Sequence, residues 1–369
     1  MRGLVSSGLI VLMAATACSS QADPQPTPSV SQSATPQAPT TPPTVNQARV
    51  IATGLKSPWG LAFLPDGSAL VTLRDSGLIE RVVPSATASA QVTTVGQVPG
   101  VNHQAGGENG LLGIAVEPGP DPKAAYVYYS TAAENRIASM SWDGSRLGPP
   151  QTILSGIPAG PFHDGGRMVF GPDGYLYVGT GDARDSPSAQ RRSSLGGKIL
   201  RITTSGAAAP GNPFGDSPVW TLGHRNIQGL AFDAQQRLWA SEFGEKTHDE
   251  LNLITKGANY GWPKYEGKGN DPAYADPYVQ WPTAEASPSG LAIIGDWAYM
   301  AALRGKRLWQ VGIANPTPAG PFDLFVGKYG RLRTPAVAPD GSLWIVTSNT
   351  DGRANPSPGD DRIVAFTVT

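Results

Sequence analysis

Trp59-Gly60-Leu61-Ala62-Phe63-Leu64-Pro65-Asp66-Gly67-Ser68-Ala69-Leu70-Val71-Thr72-Leu73 decides the fold of this chain. An apolar strand with small residues runs into Pro-Asp-Gly, and a second apolar strand follows. Proline presets φ, aspartate caps locally and glycine takes a positive φ, so the segment is predicted to be a tight hairpin. The phrase recurs at Leu112–Val116, Gly166–Phe170, Gln228–Phe232, Ser289–Ile293 and Thr334–Ala338. The spacing is roughly 45–60 residues, the period of a four-stranded propeller blade. Second strands such as Tyr175-Leu176-Tyr177-Val178-Gly179 and Ser342-Leu343-Trp344-Ile345-Val346 are rich in aromatic and β-branched residues, as half-buried strands prefer. The expected fold is all-β, a six-bladed propeller of four-stranded antiparallel blades.

The 369 residues carry 15% charged side chains and a net charge of -1, so no basic field points to nucleic acid. Thirty-five prolines and 45 glycines suit many turns between short strands. At the N-terminus, Arg2 precedes an apolar run over Leu4–Ala17, too short to span a bilayer comfortably. Ala15-Thr16-Ala17-Cys18 resembles a bacterial lipobox, and Cys18 is the only cysteine in the chain. Residues 1–17 are therefore expected to be a lipoprotein signal peptide with lipidation at Cys18. Residues 18–47 form a Pro/Ser/Thr-rich tether that cannot bury a core. The catalytic ring is expected over 48–369, extracytoplasmic and held to the membrane by the lipid alone. A single cysteine leaves no intrachain disulfide to staple it.

In a ring, residues entering the inner strand and residues leaving the next strand share one face. The entering set includes Glu108, His163, Arg225-Asn226 and Arg331-Leu332-Arg333; the leaving set includes Asp182, Glu242-Phe243-Gly244-Glu245 and Arg304. His163 with Asp182 is the pattern of an oriented general base. Guanidinium forks at Arg225, Arg304, Arg331 and Arg333 suit carboxylate or phosphate and predict a polyanionic ligand. The acidic, glycine-containing turns at 242–245 and 249–252 admit a Ca²⁺ reading through oxygen donors.

The motifs taken together resemble the soluble pyrroloquinoline-quinone (PQQ) dependent aldose sugar and glucose/sorbosone dehydrogenases. The matching stretches are 55–60, 106–113, 163–167, 223–229, 249–253, 257–263 and 330–333. The resemblance implies oxidation of aldoses at C1 to lactones, with hydride transfer to PQQ and electrons passed to an external acceptor. It implies His163 as base supported by Asp182, Arg225 polarising the quinone with Asn226 beside it, and Arg304, Arg331 and Arg333 holding cofactor carboxylates. Glu108 would line the substrate side, and the carbonyls of Gly244 and Glu245 would ligate Ca²⁺. Two other classes compete: a Ca²⁺-dependent lactonase or similar hydrolase on a related ring, and a surface propeller that binds without catalysis.

Overall fold

The computed structural model describes residues 41–369. The expected signal peptide, Cys18 and most of the tether lie outside them. Among the described residues no helix is long and apolar enough to cross a membrane.

The chain forms six four-stranded antiparallel sheets, as the repeat predicts. Strand β1 (Val45–Ala52) comes first in sequence but is used last. Blade one is β2 (Pro58–Phe63), β3 (Ala69–Leu73), β4 (Leu78–Val83) and β5 (Gln91–Gln97). Blade two is β6 (Leu111–Val116), β7 (Ala124–Ser130), β8 (Asn135–Ser141) and β9 (Gln151–Ile157). Blade three is β10 (Gly165–Phe170), β11 (Leu176–Thr180), β12 (Lys198–Ile202) and β13 (Val219–Leu222). Blade four is β14 (Ile227–Phe232), β15 (Leu238–Glu242), β16 (His248–Ile254) and β17 (Val279–Pro282). Blade five is β18 (Pro288–Ile294), β19 (Trp297–Ala302), β20 (Arg307–Gly312) and β21 (Ala319–Leu324).

The sixth blade takes β22 (Leu332–Val337), β23 (Leu343–Thr347) and β24 (Ile363–Val368) from the C-terminus and β1 as its outermost strand. Val45 pairs with Val368 and Arg49 with Ala365. Strand β1 starts at Val45, three residues ahead of the Ala48 boundary read from composition; backbone pairing recruits Val45 and Asn46 where polarity had assigned them to the tether.

The turns behave as their residues dictate. Asp66 Oδ1 accepts the Ser68 N–H at 2.9 Å, and Gly67 sits at φ 82°. Asp340 Oδ1 repeats the bond with Ser342 N–H at 2.9 Å. Apolar packing lies between the blades. Six buried clusters each join neighbouring blades, including one in which Val71 of blade one meets Trp344 and Ile363 of blade six. Each fully buried aliphatic side chain contributes roughly 1.5–3 kcal/mol, so the ring is held by its seams. Close approach at the centre explains the small residues of the phrase: a Cβ on Gly113 would lie 2.0 Å from the Gly166 carbonyl oxygen of the next inner strand.

Candidate active site

Antiparallel pairing puts the start of each inner strand beside the end of the next one, as Gly165 opposite Thr180 shows. The loops before the inner strands and after their partners thus gather at one end of the axis. His163 enters blade three there in the left-handed region, at φ 63°. Its carbonyl accepts the Ala183 N–H at 3.1 Å, and a Cβ on Gly181 would sit 1.7 Å from that carbonyl oxygen. The backbone path that aims the imidazole therefore requires glycine at 181.

His163 Nδ1 lies 2.7 Å from Asp182 Oδ1, and Nε2 lies 2.9 Å from Arg225 Nη2. A guanidinium only donates, so Nε2 carries the lone pair and Nδ1–H donates to Asp182. The neutral imidazole is held in the tautomer a base needs, with its accepting nitrogen facing the mouth. Asp182 is fully buried, while the His163 side chain keeps 16% exposure, enough to be reached by a substrate. Burial alone would push the Asp182 carboxyl up. The hydrogen bond from His163, the Arg184 N–H and the Trp262 indole outweigh that and hold it below the usual carboxylate range. Trp262 Nε1 donates to Asp182 Oδ2 at 2.8 Å, and its ring lies 5.4 Å from the Arg225 guanidinium. This tryptophan, within the 257–263 stretch, positions Asp182, a role no single motif residue specified.

Arg225 is buried, and its backbone N–H donates to Glu242 Oε1 at 2.5 Å. Its Nη1 reaches the Phe243 carbonyl at 3.3 Å, and its Nε is buried without an acceptor among the described residues. That orphaned donor fits an anionic or quinone oxygen. Asn226 spans two blades: Oδ1 accepts the Gly165 N–H at 3.0 Å and Nδ2 donates to Glu108 Oε2 at 3.2 Å. Glu108 Oε2 also accepts the His163 N–H at 3.0 Å, and Oε1 faces Arg353 Nη1 at 3.3 Å. Burial raises the Glu108 carboxyl, but Arg353 and His163 outweigh it and keep it ionised. Glu108 thus braces His163 and Asn226 as well as walling the mouth.

The arginines divide. Arg331 Nη2 and Arg333 Nη2 converge on Asp351 Oδ2 at 2.9 and 3.2 Å, all three buried. This aspartate, unmarked by the repeat, already neutralises part of the positive charge expected for a polyanion. Arg331 Nη1 donates to no described residue, and Arg304 is exposed and forms no ion pair among them. Arg304 is on the expected rim but apart from the buried network.

The 243–248 turn is organised by Glu266, whose Oε1 accepts the N–H groups of Glu245, Lys246, Thr247 and His248 at 2.6–3.2 Å. Asp249 Oδ1 holds the Gly244 N–H at 2.9 Å. These contacts fix the amides and leave the Gly244 and Glu245 carbonyls without a donor among the described residues. A free carbonyl pair suits a hard cation. Glu242 and Asp249, by contrast, spend their side chains internally. Glu242 Oε2 pairs with the fully buried His224 at 2.8 Å, and His224 stacks on Tyr260. No group of three or more His, Cys, Asp or Glu among the described residues gathers to hold a metal.

A profile of the family described as Glucose / Sorbosone dehydrogenase matches residues 55–355. The chain belongs to this family. It is 30% identical over 349 residues to the aldose sugar dehydrogenase of Escherichia coli, across 84% of this chain and 92% of that one. With the quinoprotein glucose dehydrogenase B of Acinetobacter calcoaceticus it shares 35% identity over 263 residues, 62% of this chain and 54% of the relative. Among solved structures, the PQQ-bound aldose sugar dehydrogenase of Streptomyces coelicolor has a TM-score of 0.85 at 50% identity, covering 90% of this chain and 99% of that one. Membership in a dehydrogenase family replaces the binding-only reading.

Proposed function

We propose that this dehydrogenase oxidises aldoses at C1 to lactones, with PQQ and Ca²⁺ at the mouth and an external electron acceptor. The reading rests above all on His163, oriented by Asp182 with its Nε2 lone pair against Arg225. The PQQ bound by the solved Streptomyces coelicolor relative supports the choice of cofactor. Bound PQQ supplies a two-electron acceptor for the hydride leaving C1, and Ca²⁺ supplies a Lewis acid.

His163 Nε2 takes the proton of the C1 hydroxyl as the C–H bond is lost and C1–O becomes a carbonyl. Asp182 then faces an imidazolium and stabilises it across the 2.7 Å bond. Before that, Arg225 must yield Nε2 to the substrate. Its buried, unsatisfied Nε gives the guanidinium another direction in which to donate, and its charge favours negative charge developing nearby. Arg225, Asn226, Arg304 and the free Nη1 of Arg331 would hold the quinone and its carboxylates, with Arg333 behind them. The Gly244 and Glu245 carbonyls would ligate Ca²⁺.

Apoprotein supplied with PQQ and Ca²⁺ should bind the quinone and reduce a dye with aldoses; failure of both binding and reduction overturns the proposal. His163→Ala should abolish turnover and retain quinone binding, and turnover at the wild-type rate would remove His163 as base. For location, we infer an extracytoplasmic enzyme anchored through Cys18. Cys18→Ser should move it from the membrane to the soluble fraction, and unchanged membrane association refutes the anchor.

A further inference from the structure

The ring axis has a second end. Below the mouth, one layer of inner-strand residues reads Gly60, Gly113, Arg167, Gly229, Gly290 and Thr334, as strand pairing aligns them. The four glycines press against the backbone of the next blade, and Arg167 is the one charged side chain of the layer. Its Nε donates to the Gln228 carbonyl at 2.7 Å and its Nη2 to Thr334 Oγ1 at 3.0 Å. The guanidinium lies 4.3 Å from the Trp59 ring centre. Beyond this plug, on the side away from the mouth, a funnel of about 320 Å³ opens. Its next layer is wholly apolar: Leu61, Ile114, Met168, Leu230, Leu291 and Pro335. Phe170, Phe232 and Val337 line its outer part, with Val337 39% exposed.

Arg167 is 7% exposed and has no carboxylate partner among the described residues, and its Nη1 donates to none of them. Desolvation, and after it the like charge of Arg333, pulls the guanidinium down to about 9, so it is still protonated at neutral pH. A buried cation without a counter-charge is costly. Here it floors a solvent-open cavity that Arg167 and Thr334 line together with apolar side chains, and the missing partner is an anion with an apolar body.

We propose that the funnel opposite the mouth binds a medium-chain carboxylate, head on Arg167 and tail along the apolar layer. At roughly 30 Å³ per water-sized group, the volume accepts about ten heavy atoms, the size of octanoate. The site is independent of the sugar-oxidising reaction and shares no residue with it.

The test is calorimetric titration of the full chain, loaded with PQQ and Ca²⁺, with octanoate and with the neutral probe 1-octanol. Octanoate should bind saturably. Arg167→Met should weaken octanoate at least tenfold and change octanol less than twofold, while Arg167→Lys should retain most of the octanoate affinity. Val337→Glu, at the exposed rim, should weaken octanoate more than octanol and leave dye reduction unchanged. Because Arg167→Met could fail to fold, Val337→Trp, which narrows the outer funnel, serves as the second variant and should weaken both probes. No saturable octanoate binding, equal binding by all these variants, or displacement of octanoate by PQQ each overturns the proposal.

Discussion

Asp182→Asn isolates what orients the base. In the wild type, Oδ1 accepts from His163 Nδ1 at 2.7 Å and from the Arg184 N–H at 2.8 Å, and Oδ2 accepts from Trp262 Nε1 at 2.8 Å. Asparagine offers one oxygen and one NH₂. With its oxygen toward His163, the NH₂ meets the Trp262 N–H, donor against donor in a buried site. Flipped, the NH₂ faces His163 Nδ1 and drives the imidazole proton to Nε2, which then points a hydrogen at Arg225 Nη2. Either pose loses a hydrogen bond to a charged group, worth about 1.5–3 kcal/mol. At tenfold per ~1.4 kcal/mol, kcat should fall about 10- to 150-fold while the quinone still binds. The assay is dye reduction by the reconstituted enzyme, with quinone occupancy read separately. A variant with full occupancy and kcat within twofold of wild type refutes the orientation argument. A stability signature accompanies it. The Asp182 carboxyl is depressed in the folded state, despite burial, by His163, Arg184 N–H and Trp262. Its contribution is thus present above the free-aspartate range near ~3.9 and lost as pH falls through the lower folded value. The asparagine variant should lack that part of the acid limb in melting curves below about pH 4.

Two further perturbations probe the supporting network. Glu250, fully enclosed beside Glu242, is pushed up to about 8, first by desolvation and then by that neighbouring carboxylate. The folded state therefore holds a proton that the unfolded chain releases from ~4.3 upward, so the wild type should lose stability as pH rises toward 8. Glu250→Gln should flatten that slope in Tm measured at pH 5 and pH 8, and identical slopes would contradict it. Asp351→Asn leaves Arg331 and Arg333 without their buried counter-charge, a loss of about 3–5 kcal/mol; urea unfolding with an unchanged midpoint would contradict it.

The ring was legible because it is written six times. Period, Pro-Asp-Gly and small inner residues each constrain the backbone locally, and the local constraints agree. The pairing of His163 with Asp182 was legible for the same reason, since equivalent offsets in one blade meet at one end. Contacts made by the long loops were not. Within blade six, Asp351 reaches Arg331 and Arg333 from a long loop after β23, and Arg353 from that loop crosses to Glu108 of blade two. Trp262 reaches Asp182 from a loop 80 residues away. Nothing in local pattern specifies these partners; they follow from the order in which blades close around the axis. Arg304 shows the converse, a position legible from its offset whose exposure depends on loops that carry no periodic signal.

Closure by β1 also sets a clock on biosynthesis. Val45 finds Val368 across almost the whole chain, so the first strand to leave the ribosome must wait, unpaired, for the last. Until then it is an open edge offered to any other strand nearby, and long-range pairing of this kind is intrinsically slow. A message cut short before Ile363 would yield five complete blades and a sixth missing the strand that joins β1 to β23. Such a chain presents two open edges, so the ring is closed only when β24 fills the gap between β1 and β23.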